Sequence, residues 1–110
     1  MTHLTTHILD ATRGAPAAEV AVALARHLPS GAAEPVAAGR TDADGRLAIG
    51  PDLLAAGTYA LTFATGEYFA GLGVEGFYPE VTVTFTVTDE RHYHVPLLLS
   101  PFSYSTYRGS

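Results

Sequence analysis

The sequence predicts an all-β sandwich or small barrel, and three observations lead there. The stretch TVTFTVT, residues 82–88, alternates without a break: Val83, Phe85 and Val87 on one face, threonines on the other. That period of two is the pattern of a strand with one buried side. Short apolar segments separated by turn residues recur along the whole chain, and half-buried strands of that kind need a second layer to cover them. Apolar residues make up 47% of the 110 residues and charged residues only 15%, which favours a packed core over disorder and leaves apolar surface for subunit contacts.

In chain order, the first strand is THILDA, 6–11, where Ile8 packs inward and His7 projects from the opposite face. VAVALARHL, 20–28, is alanine-rich enough for a helix. Val20, Val22 and Leu24 nevertheless alternate with alanines, and Pro16 and Pro29 bracket the segment, so a strand is the better reading. EPVAAGR (34–40), RLAI (46–49) and TYALTFA (58–64) are further strands. GEYFAGLG, 66–73, is the one short helix, with Tyr68, Phe69 and Leu72 near a common face and glycines at both ends. After TVTFTVT come the strands HYHVPLLL (92–99) and YSTYR (104–108). Turn signals fall between them at RGAP, PSGAA, DADG and AAG. The aspartates of DADG resemble the start of a calcium loop, but the glutamate that should close such a cage is missing, so the segment reads as a β-turn.

Several functions are disfavoured at this level. The net charge is −5 with no basic cluster, a poor basis for gripping nucleic acid or an anionic membrane. There is no cysteine, hence no disulfide and no thiolate chemistry. The first twenty residues carry neither a basic start nor a long apolar segment, and no run approaches the ~20 residues of a membrane helix, so the expected location is cytoplasmic.

The chemistry-bearing residues are few. On an extended HYHVPLLLS, His92 and His94 share the non-core face with Pro96 and Leu98, while Tyr93, Val95, Leu97 and Leu99 point inward. Two imidazoles at that spacing, joined by His7, could ligate zinc, or they could be ordinary half-exposed histidines. Arg46 follows the DADG turn, where a guanidinium could reach a planar polar ligand or simply meet solvent. His3 and His27 have less to recommend them.

Taken together, THILD at 6–10, DGR at 44–46, HYHVPLLLSPF at 92–102 and YRGS at 107–110 resemble the 5-hydroxyisourate hydrolases of the transthyretin-related protein family. The resemblance covers essentially the whole chain, and YRGS is that family's signature tetrapeptide. It implies a transthyretin-like β-sandwich of two antiparallel sheets with one short helix, in a single domain over 1–110. A homotetramer, a dimer of dimers, is implied too, with active-site clefts at the dimer–dimer interface. The family's catalytic residues fall on His7, Arg46 and His94, and Tyr107, Arg108, Gly109 and Ser110 line or complete the cleft. The implied reaction is metal-independent and cofactor-free hydrolysis of 5-hydroxyisourate in urate degradation. Transthyretin itself, a small-molecule carrier of the same fold, lacks this histidine–arginine set and the YRGS end.

Overall fold

The computed structural model describes residues 2–110. The strands are β1 (Leu4–Asp10), β2 (Ala15–Pro16), β3 (Ala21–His27), β4 (Ala33–Arg40), β5 (Arg46–Ala48), β6 (Gly57–Phe63), β7 (Val81–Val87), β8 (Tyr93–Ser100) and β9 (Ser103–Thr106), with one helix, α1 (Thr65–Gly71), between β6 and β7. They form two sheets. One runs β2-β1-β8-β9 with β5 also paired to β1, and the other runs β4-β3-β6-β7.

Alternation decides what each sheet buries. In β1, Leu4, Thr6, Ile8 and Asp10 turn inward, while Thr5, His7 and Leu9 are only partly covered. Leu4, Ile8, Leu97 and Leu99 from the first sheet pack with Val22, Leu24, Leu61 and Phe63 from the second, all of them almost fully buried. The Ala21–His27 segment is a strand despite its alanines, because Val22 and Leu24 fit the inward positions of a central strand. Pro35 sits in β4, at the edge of its sheet beside a bulge, where a missing N–H costs little.

Polar groups inside the sandwich are satisfied. The Thr6 hydroxyl donates to the carbonyl of Val95 at 2.6 Å, and the Thr41 hydroxyl donates to that of Ala17 at 2.7 Å. The buried Asp10 carboxyl accepts from the Tyr68 hydroxyl at 2.8 Å and from the N–H of Arg13 at 3.1 Å, which ties α1 to the end of β1. His3 is also a structural group: its Nε2–H donates to Arg91 O and its Nδ1 accepts from Leu54 N–H, at 2.9 and 2.8 Å.

Three details differ from the sequence expectation. The pairing of β1 with β8 is parallel, whereas every other strand pair is antiparallel. The long excursion through the second sheet supplies the crossover that a parallel pair requires. The RGAP turn contains the two-residue strand β2, formed when Gly14 takes φ 65° and folds Ala15–Pro16 back on Leu9 and Asp10. Leu72 does not join the buried face of α1 with Phe69; it follows the helix and is 43% exposed.

Candidate active site

Strand register assembles the site. On the outer face of the first sheet, the parallel pairing sets Thr5 beside His94 and His7 beside Pro96. On the other side of β1, β5 sets Arg46 beside His7 and Ala48 beside Thr5. Paired residues share a face of a sheet, so two imidazoles, a hydroxyl and a guanidinium from three strands converge there. Between them lies an open cleft of about 440 Å³, lined by Thr5, Asp42, Arg46, His92, His94 and Ser110 among others.

The turn before β5 aims Arg46. The Asp42 carboxylate accepts the N–H groups of Asp44 (2.9 Å) and Arg46 (3.0 Å), an Asx-type closure of DADG. Gly45 has φ 74°, and a Cβ there would collide with the carbonyl oxygen of Ile8, so only glycine lets the turn lie against β1. The N–H of Arg46, then that of Asp44 and the nearby guanidinium, hold the Asp42 carboxyl below its ordinary value against a partial desolvation. The segment is thus a turn that carries an arginine.

Each histidine has a definite partner. His7 donates Nε2–H to the carbonyl of Asp44 at 2.9 Å; it is paired with Arg46 but is not among the residues that line the cleft. His94 contacts the Thr5 hydroxyl through Nδ1 at 2.8 Å, and His92 contacts the same oxygen through Nε2 at 2.7 Å. Among the described residues no three His, Asp or Glu side chains converge as a ligand set. Partial burial, followed by the positive fields of His7, His92 and Arg46, lowers the His94 pKa from 6.5, while hydrogen bonding to the Thr5 backbone opposes the shift.

Pro96 explains the C-terminal segment. It lies in the middle of the first sheet and, though on the outward-facing set of β8, is buried. Lacking an N–H, it interrupts the ladder to the last strand, and β9 ends at Thr106, whose hydroxyl donates to the Pro96 carbonyl at 2.7 Å. Pairing resumes in the same register at Gly109, whose N–H donates to His94 O at 2.8 Å. A Cβ on Gly109 would stand 2.5 Å from Cδ2 of the His94 ring, so the tail packs against the imidazole with no room for a side chain. Ser110 follows into the cleft.

Tyr107 and Arg108 are not brought to His94 within one chain. The Arg108 guanidinium lies over the Tyr93 ring, 4.2 Å from its centroid, on the core-facing side of β8. Both residues line a separate cavity of about 200 Å³ with Val83, Phe85 and Val95. Alternation is the cause: carried past Pro96, the register sets Arg108 beside the inward-facing Val95. Thr5, by contrast, carries no signal in the sequence beyond β-propensity, and only the pairing with His94, 89 residues away, exposes its position.

A two-sheet sandwich whose outer face carries an imidazole–guanidinium cleft defines this as a protein of the transthyretin fold with a polar reaction site. The chain belongs to the HIUase/Transthyretin family, whose model matches residues 4–109. It is 43% identical to the 5-hydroxyisourate hydrolase of Ralstonia nicotianae, over 100% of both chains. The solved structure of Klebsiella pneumoniae 5-hydroxyisourate hydrolase superposes with a TM-score of 0.88 at 40% identity, again over 100% of each chain. Sea bream transthyretin, solved in complex with thyroxine, superposes with a TM-score of 0.91 at 36% identity, covering 97% of this chain and 94% of its own. The backbone is therefore common to hydrolases and carriers, and the side chains of the cleft must tell them apart.

Proposed function

We propose that this chain is a hydrolase that opens the ring of 5-hydroxyisourate to 2-oxo-4-hydroxy-4-carboxy-5-ureidoimidazoline in urate degradation, as a single cytoplasmic domain over 1–110. The observation that carries the reading is the meeting of Arg46, His94 and Ser110 on one cleft, with His7 paired to Arg46 on the neighbouring strand, in a chain closely similar to proteins named for that activity. A carrier has no use for an imidazole kept neutral beside an arginine.

The lowered pKa of His94 favours the neutral form near pH 7, which suits a base. His94 accepts a proton from water as the water oxygen bonds to C6 of the substrate. Arg46, a permanent donor array, orients the planar ring and stabilises the charge that develops on the carbonyl oxygen. The C6–N1 bond then breaks, and the proton passes to N1. His7, fixed through Nε2, presents Nδ1 for a second proton transfer or a contact to the substrate. Ser110 serves as a hydrogen-bonding group; no nucleophile-elbow pattern supports a serine mechanism.

The cleft is open on one side, which supports its completion by a second copy in a tetramer of two dimers. The exposed Phe102 and Tyr104 and the free edge of β9 supply surface for the other contact within a dimer. Tyr107 and Arg108 fit this assembly as residues that shape the cleft through neighbouring copies. The test is turnover of freshly generated 5-hydroxyisourate above its spontaneous decay, by wild type and by H7A, R46A and H94A, with mass measured in solution. Loss of most turnover in folded, correctly assembled variants supports the assignment; near-native turnover in all three removes it.

A further inference from the structure

The Thr5 hydroxyl stands between two imidazoles, and its neighbours settle which way each hydrogen bond runs. His92 Nδ1 lies 3.2 Å from the carbonyl oxygen of Thr2, which only accepts, so Nδ1 carries the proton. In neutral His92, Nε2 is then a bare acceptor, and the Thr5 hydroxyl at 2.7 Å donates to it. That hydroxyl has one proton to give, so it accepts from His94, whose Nδ1 at 2.8 Å must carry a hydrogen. Nε2 of neutral His94 is left as a lone pair.

We propose that Thr5 and His92 are positioning residues that hold His94 as its Nδ1–H tautomer, so that Nε2 is the basic atom offered to the cleft. The assignment deepens the hydrolase reading and rests on it for its catalytic consequence. A histidine in water prefers the opposite tautomer, with the proton on Nε2, and so would offer no base at that atom. The relay from the Thr2 carbonyl through His92 and Thr5 overrides that preference with three directed hydrogen bonds. Conversely, a proton added to His92 Nε2 reverses both bonds at Thr5, turning its hydroxyl toward His94 Nδ1 and moving the His94 hydrogen to Nε2. His92 is thereby a control on whether His94 acts as base or acid.

The experiment is nitrogen-15 NMR of the imidazoles in the intact protein at a pH where His94 is neutral, paired with kcat and KM. T5V keeps a β-branched residue in the strand but removes the hydroxyl, T5S keeps the hydroxyl, and H92F frees the hydroxyl to donate to His94. Wild type and T5S should show Nδ1–H at His94; T5V should lose that preference, and H92F should show Nε2–H. In T5V and H92F, kcat should fall roughly tenfold with KM within about twofold. Persistence of Nδ1–H in both variants overturns the relay, and a tautomer change with unaltered kcat overturns its role in turnover. If tautomers shift as stated while wild type itself leaves 5-hydroxyisourate unchanged, the relay stands and the hydrolase reading fails.

Discussion

Replacing Gly109 with alanine isolates the contact between the tail and the catalytic imidazole. Gly109 does not have positive φ, so alanine fits the backbone there, and any penalty comes from the new methyl group alone. That carbon would stand 2.5 Å from His94 Cδ2, against an ordinary contact of 3.4 Å or more, so ring or tail must move by about 1 Å. The ring is held by Thr5 through Nδ1, and the tail by Gly109 N–H on His94 O, so either movement breaks a bond that defines the site. A displacement of that size in a reacting group costs on the order of a hundredfold in rate. Gly109 contributes nothing to the central core, so the thermal midpoint should move little. The assay is kcat on freshly generated 5-hydroxyisourate, corrected for spontaneous decay, alongside a melting curve. Turnover of G109A within about twofold of wild type would refute the claim that this contact orients His94.

Other expectations follow from the same geometry. Because the folded His94 pKa lies below 6.5, activity should rise with pH through a midpoint under that value, and the lost proton affinity should make stability fall as pH drops below 6.5. A pH–rate profile and urea titrations at pH 5 and 7.5 check both directions; partial burial, then His7, His92 and Arg46, set that midpoint. Y68F removes a hydrogen bond to the buried Asp10 and should cost about 1–3 kcal/mol in chemical denaturation while kcat stays near wild type. Exhaustive chelation should leave turnover unchanged; activity restored by a stoichiometric metal would replace the direct histidine mechanism.

What the sequence disclosed and what it withheld divide along a physical line. Strands such as β7 and β3 were legible because alternation is a local property, readable from neighbours in the chain. That His7 and Arg46 serve one site could be read only through the family resemblance, and their pairing not at all, since register between distant strands leaves no local trace. Thr5 was missed for the same reason. The two-residue β2 is too short to show a period, and the parallel β1–β8 pair depends on how the second sheet is wound. The resemblance expected Tyr107 and Arg108 to line or complete the cleft; within one chain, one step of alternation sends the Arg108 guanidinium to the other side of the sheet.

Pro96 has a consequence for motion as well as for pairing. Because its missing N–H leaves a gap in the ladder, the final residues are held beyond Thr106 by the Gly109–His94 bridge and by the Arg108 guanidinium over the Tyr93 ring. Fraying of that end is thereby uncoupled from unfolding of the sheet, since losing one hydrogen bond and one cation–ring contact releases it while β8 and β9 remain zipped. The same break also loosens the packing on the His94 ring, so the rigidity of the reacting group and the attachment of the tail rise and fall together.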